Sequence, residues 1–207
     1  MDGFMIINRL LNYLFTAPSI FSVLRQLNMR NDGLTGREIA RLENITHRTA
    51  LKALENLEAL NVVTKKIAGR SHYYTINRTQ YIYKEIVAVI FEKEVEYKQK
   101  IFDELKSIKN ENLISTLIFG SVARKEETYE SDLDVCFIYK KNKSGIEDKI
   151  NVLRDKLYER YGISLAPFYI LENDFNNKAK KMLSPVNNIL SEGSVISGKS
   201  IKRIIHG

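Results

Sequence analysis

The chain has a single cysteine, Cys136, among its 207 residues. No intrachain disulfide can form, which fits a reducing, intracellular setting. Cysteine-based zinc sites are excluded, and the three histidines are too scattered to make a ligand cluster. No apolar run is long enough to span a bilayer. The opening MDGFMIINRLLNYLF is interrupted by Asp2, Asn8, Arg9 and Asn12. It has neither a basic leader nor a small-residue cleavage site, so an amphipathic helix is expected there and not a signal peptide. These absences point to a cytoplasmic protein with no membrane partner.

A hydrophobic content of 44% is enough to build packed cores, and the length suits one large domain or two small ones. Net charge is +7 and uneven: residues 1–80 carry 11 lysines and arginines against 6 acids, while residues 81–207 carry 21 against 19. The excess in the first part suggests a polyanionic partner there.

The local signals in that part are ordered. Residues 4–15 and 18–30 read as helices, the second beginning at Ser19 after the break at Pro18. Asn31-Asp32-Gly33 is a turn. Thr35-Gly36-Arg37-Glu38 matches a capping box, with Ile39, Leu42 and Ile45 following on the apolar side and Asn44 ending the helix. Thr46 caps the next helix, His47 to Asn61, whose stripe is Ala50, Leu54 and Leu57, with Ala53 and Leu60 beside it. Val62 to Ile67 and His72 to Ile76 read as two short strands joined by Ala68-Gly69-Arg70-Ser71.

Short helix, turn, second helix and basic hairpin, over residues 19–77, resemble a winged helix-turn-helix of the multiple-antibiotic-resistance and arsenic-repressor types of regulator. The resemblance implies double-stranded DNA as a partner. A recognition helix enters the major groove by its N-terminal residues, here Thr46, His47, Arg48 and Lys52. Arg37 and Arg41 are placed to meet phosphates, and Lys65, Lys66, Arg70 and His72 form the basic wing.

Residues 79–109 carry apolar positions at helical spacing, at Ile82, Ile86, Val89, Ile90, Tyr97, Ile101, Leu105 and Ile108. A long linker helix is expected, its stripe serving either intrachain packing or a homodimer seam.

From residue 113 the period changes. Leu113 to Phe119 reads as a buried strand, Gly120-Ser121 opens a short helix through Arg124, and Ser131 to Tyr139 forms a second strand after a polar loop. Asp132 and Asp134 are two apart on that strand, so they face one side while Leu133 faces the core. Two carboxylates on one side make half of a cage for Mg²⁺. Backbone N–H groups at Gly120-Ser121 and the Ser121 hydroxyl suit phosphate oxygens.

The stretch FGSVARKEETYESDLDVCFIY resembles the nucleotidyltransferase signature of the DNA polymerase β superfamily, including kanamycin nucleotidyltransferase and the minimal nucleotidyltransferases. That implies a nucleoside triphosphate as substrate or ligand, Asp132 and Asp134 as catalytic and metal-binding residues, and Gly120, Ser121, Arg124, Lys125 and Ser131 around the nucleotide. Lys125 stands where the family usually has glycine. Active members place a third carboxylate on a later strand, but the candidate strand here, Ile163 to Ile170, has no acid, and Glu172 and Asp174 come too late in register. The ending LSEGSVISGKSIKRII also resembles the close of small members, a glycine before a final short helix.

The expected fold class is therefore α+β: a winged helix at 1–78, a linker helix at 79–110, and a nucleotidyltransferase-like α/β domain with a mixed sheet at 111–207. The expected function is Mg²⁺-dependent transfer of a nucleoside monophosphate to a hydroxyl. The alternative is a transcriptional regulator whose C-terminal domain binds nucleotide or a partner without turnover. A third role has that domain modify or mask a toxin-like or other protein partner.

Overall fold

The computed structural model describes residues 7–206. Its first regular segments follow the punctuation of the sequence. Helix α1 is only Leu10–Leu14, shorter than the expected 4–15, because Arg9 has a left-handed backbone with φ 60° and helix cannot run back through it. Residues 4–6 of that expectation lie outside the described residues. Helix α2 spans Pro18–Asn28 and starts one residue before Ser19: a proline's fixed φ suits the first helical position, with extended Ala17 as N-cap.

Both halves of the capping box at Thr35 form. The Thr35 hydroxyl accepts from the Glu38 backbone N–H at 3.3 Å, and the Glu38 carboxylate accepts from the Thr35 N–H at 2.7 Å. These bonds start α3 (Gly36–Leu42), and Thr46 caps α4 (His47–Ala59) by accepting from the Thr49 N–H. Asn44 and Asn61 follow the two helices with φ of 51° and 55°, a conformation asparagine tolerates better than most residues. Strands β1 (Leu34–Thr35), β2 (Val63–Ala68) and β3 (Ser71–Ile76) form an antiparallel sheet in the order β1-β3-β2. β1 was not foreseen; its two residues pair with Tyr73 and Tyr74.

The elements follow one another in the order expected from the sequence, with β1 added. Their core gathers Val23, Leu24, Ile39, Ala50, Leu54, Leu57, Val62 and Tyr74. Leu42, expected on the apolar side, is 43% exposed. The buried face of α3 runs through Gly36, Ile39 and Ala40, and Leu42 falls off its edge.

The long helical stretch opens with a π-helical turn, Tyr83–Val87, and continues as α5 (Ala88–Lys106). The wider turn inserts a residue into the 3.6 repeat. Tyr83, Val87 and Phe91 are the buried residues, the expected Ile82 and Ile86 pack half-buried against the same core, and the expected Val89 and Tyr97 are exposed. Further on, Ile101, Leu105 and Ile108 are buried as expected. The chain divides into two units, Met1–Glu94 and Val95–Gly207.

In the second unit the four-stranded sheet is mixed, in the order β6-β5-β4-β7. Its strands are β4 (Leu113–Ile118), β5 (Leu133–Tyr139), β6 (Leu165–Leu171) and β7 (Ser194–Gly198). β5 runs parallel to β6, while β4 is antiparallel to both β5 and β7. β5 reads as an almost unbroken apolar run because it is covered on both faces. Val135 and Phe137 pack with Ile101 and Leu105 of α5 and with Ile146, Ile150 and Leu157 of α7 (Ser144–Tyr161). Cys136 and Ile138 pack with Phe175 of α8 (Glu172–Lys180), Ile189 of α9 (Val186–Glu192) and Ile204 of α10 (Ile201–His206). The short α6 (Gly120–Arg124) joins β4 to the loop before β5. Burial pushes the Cys136 thiol up to about 12, so it stays protonated and inert.

The capping box yields a stability test. Thr35→Ala should lower unfolding stability by about 1 kcal/mol in urea titrations at neutral pH. The Thr35 N–H and hydroxyl hold the Glu38 carboxyl below its usual range. The stability this brings is fully present above the unfolded glutamate value of about 4.3 and is lost as pH falls through the folded value. The gap between wild type and Thr35→Ala should therefore narrow below about pH 4; a constant gap would remove the charge from the account.

Candidate functional site

The candidate site lies where β4 ends and β5 begins. Antiparallel pairing brings Ile118 opposite Val135, and the Phe119 N–H donates to the Asp134 carbonyl at 3.1 Å. Chain direction then reverses through Gly120, whose φ is +72°. The glycine is required twice. A side chain is disfavoured at that φ, and a Cβ would stand 2.1 Å from Asp134 Oδ2. The Asp134 carboxylate thus lies against the bare backbone of the Gly-Ser turn.

Asp134 is half-buried and Asp132 exposed, while Leu133 between them is buried at 4% exposure. The Asp134 carboxyl is pushed above its ordinary range, first by burial, then by the like charge of Asp132, with a smaller contribution from Glu192; Arg124 opposes them. Crowded negative charge of this kind is what a divalent cation relieves. Among the described residues no group of three or more histidines, cysteines, aspartates or glutamates is arranged to hold a metal. A cation here would rest on Asp132 and Asp134 and take its remaining oxygens from phosphate or water.

Parallel register shows what stands in the place of a third carboxylate. Asp134 pairs with Ala166, and neighbours paired across parallel strands face the same side. Glu172 follows Leu171, which pairs with Tyr139, five residues past Asp134 and about 16 Å along the strand. It is occupied there by Lys199, whose Nζ donates to Glu172 Oε1 at 3.1 Å.

One acid that sequence reasoning missed does reach the site. Glu192 Oε1 accepts from the Gly120 N–H at 2.9 Å, and its Oε2 accepts from Arg124 Nη1 at 2.7 Å. Arg124 also donates through Nε to Glu126 at 2.8 Å. The pair shifts both partners in the charged direction: the guanidinium is raised, chiefly by Glu126 and Glu192, and the Glu192 carboxyl is lowered, chiefly by Arg124. The available signal was Ser194-Val195-Ile196-Ser197, an alternating stretch that forms β7 beside β4.

The other candidates fall around this centre. Ser121 is half-buried beside Gly120. Lys125 is exposed and caps α6 in the left-handed region, φ 61°. The glycine usual at that position would carry this conformation without the cost of about 1–2 kcal/mol that a side chain adds. The Ser131 hydroxyl is tied into its own loop, accepting from the Thr128 N–H at 3.0 Å.

In the first unit Arg37, Thr46, His47, Arg48, Lys52, Lys65, Lys66, Arg70 and His72 are all exposed. Thr46 is committed to its cap, and the His47 ring lies near Gly36, where a Cβ would stand 3.4 Å from Nε2. None of Arg37, Arg48, Lys52, Lys65, Lys66 and Arg70 is ion-paired with another described residue.

The family profile described as polymerase beta, nucleotidyltransferase, matches residues 99–202, half of the chain. The chain belongs to the polymerase beta nucleotidyltransferase family. It is also similar to a Methanocaldococcus jannaschii protein named "putative protein adenylyltransferase", 36% identical over 72 residues, which cover 33% of this chain and 49% of that protein. The chain thus spans about half the length of the curated relative it matches. Two solved structures are also similar. One is titled a crystal structure of the toxin-antitoxin with AMP-PNP, at 16% identity and TM-score 0.35, covering 52% of this chain and 79% of that chain. The other is TrmBL2, an archaeal chromatin protein whose title reports a novel mode of DNA binding, at 17% identity and TM-score 0.29, covering 88% of this chain and 73% of that chain. At those scores neither fixes a fold or a function. No helix of the described residues is long and apolar enough to cross a membrane.

Gly120→Ala tests the architecture of this nucleotidyltransferase centre. Backbone strain should cost about 1–2 kcal/mol in chemical denaturation, and the new Cβ must turn the Asp134 carboxylate away. A variant as stable as wild type would show that the turn tolerates a side chain.

Proposed function

We propose that this chain transfers a nucleoside monophosphate from a nucleoside triphosphate to a hydroxyl acceptor, with Mg²⁺, and that its first unit binds double-stranded DNA. The observation that carries the first part is the Asp134 carboxylate lying against Gly120, with Asp132 beside it and Arg124 at the same turn. Gly120, Ser121 and Arg124 would hold phosphate oxygens, with the exposed Lys125 adding charge nearby. Asp132 and Asp134 would hold the metal, which supplies charge neutralisation on the transferred phosphoryl group when bound. The reaction forms a bond from the acceptor oxygen to the α-phosphorus and breaks the bond to the departing pyrophosphate. A relative named as a protein adenylyltransferase favours ATP as donor and a protein hydroxyl as acceptor.

One observation favours the alternative. Ala166, beside Asp134, leaves β6 without a carboxylate to take the proton of the acceptor hydroxyl. A domain of this kind binds nucleotide and regulates the DNA-binding unit without turnover.

Incubation with Mg²⁺ and ATP labelled at the α-phosphate separates the two. Transfer of label, lost in both Asp132→Asn and Asp134→Asn, supports the enzyme. Nucleotide binding with no label transferred supports the regulator.

For the first unit, the exposed basic residues of α4 and the hairpin carry the reading. Affinity for duplex DNA should fall linearly with salt on logarithmic axes. Arg48→Ala and Lys66→Ala should each reduce that slope by about 1 if each meets a phosphate. Slopes unmoved by either substitution would assign these charges to a solvated face.

A further inference from the structure

We propose that Glu192 is a resident competitor for the nucleotide: its carboxylate occupies the Gly120 N–H and Arg124 until a phosphate group displaces it. The inference deepens the proposed function and rests on reading this turn as a nucleotide site.

The backbone brings Glu192 to this place. In the β4–β7 ladder Ser194 pairs with Ile118 and Val195 with Leu117. Continuing that antiparallel register by two residues sets Glu192 across from Gly120, beyond the last strand pair. Its direction is set by the adjoining glycine. A Cβ on Gly193 would lie 2.3 Å from the Ile189 carbonyl oxygen, and the Gly193 N–H donates to that oxygen at 2.9 Å. Only a glycine lets α9 stop at Glu192 and enter β7 without a gap.

The bonds it makes are those of an anion in a built seat. One carboxylate oxygen takes a backbone N–H and the other takes a guanidinium, at 2.9 and 2.7 Å. A pair of phosphate oxygens uses the same two kinds of donor. The Glu192 side chain is 16% exposed, whereas the second carboxylate on Arg124, that of Glu126, is 66% exposed. Glu192 also adds negative charge beside Asp134. An incoming triphosphate must therefore exchange with a carboxylate already bonded to the same donors. Binding is weakened, and a ligand carrying both phosphate and a cation is favoured over a bare anion.

The test is calorimetric titration of the full chain with Mg²⁺ and the α,β-methylene analogue of ATP, which cannot be cleaved at the reacting bond. Glu192→Ala should bind about tenfold more tightly than wild type, the scale of one charge-assisted hydrogen bond no longer broken. Glu192→Gln should shift affinity in the same direction by less, and it carries the test if the alanine variant fails to fold by circular dichroism. Binding weaker than or equal to wild type in the folded variants overturns the proposal and makes Glu192 a positioning residue for Arg124. No binding by wild type or either variant overturns the nucleotide reading itself, and the competitor with it.

Discussion

The close approach between Gly120 and Asp134 is the constraint on which the second unit depends. A carboxylate can lie against a turn only where the turn has no side chain, and the turn can reverse at positive φ only where strain is absent. One glycine meets both demands. The pairing of β4 with β5 delivers Asp134 to that spot, and the pairing of β4 with β7 delivers Glu192 to the other side of the same peptide. The chemistry of the site is therefore a consequence of two strand registers measured from β4.

Register also explains why the acids are unequal. On β5 the alternation of side chains sends Leu133 inward and Asp134 to the site, and the neighbouring strand puts Ala166 beside it. Glu172 is close in sequence to the end of β6 but belongs to the opposite end of that strand, where Lys199 neutralises it. Distance along a strand is fixed at about 3.3 Å per residue, so no side-chain flexibility brings Glu172 to Asp134. Glu192 is distant in sequence and adjacent in space.

This difference separates what was legible in the sequence from what was not. Thr35 with Glu38, Thr46, and the asparagines after α3 and α4 are local signals, readable within a few residues, and the structure uses them as such. The spacing of Asp132 and Asp134 is likewise local, although β5 begins only at Leu133 and Asp132 stands just before it, not on the strand expected from Ser131. Two things escaped. The π-helical turn at Tyr83–Val87 widens the helical repeat, so a stripe counted at 3.6 residues per turn found the half-buried Ile82 and Ile86 and missed the fully buried Tyr83, Val87 and Phe91 beside them. Glu192 escaped because its role arises from pairing between segments some 70 residues apart, as its bond to Gly120 shows. Nothing in the local string LSEGSV marks the acid for that partner.

Arg124 shows how far the charges near this turn are already spoken for. Its guanidinium lies between Glu126 and Glu192, and the surrounding loop adds Glu127, Glu130 and Asp132. Lys125 is the only other cation in residues 120–134. A polyphosphate entering alone would meet a net negative field, and Arg124 by itself cannot reverse it. A divalent cation held by Asp132 and Asp134 would offset part of that negative charge and leave Arg124 less alone in balancing carboxylates. On the proposed reading, the acidity of this turn, which looks hostile to a nucleotide, would favour a nucleotide that arrives with its metal.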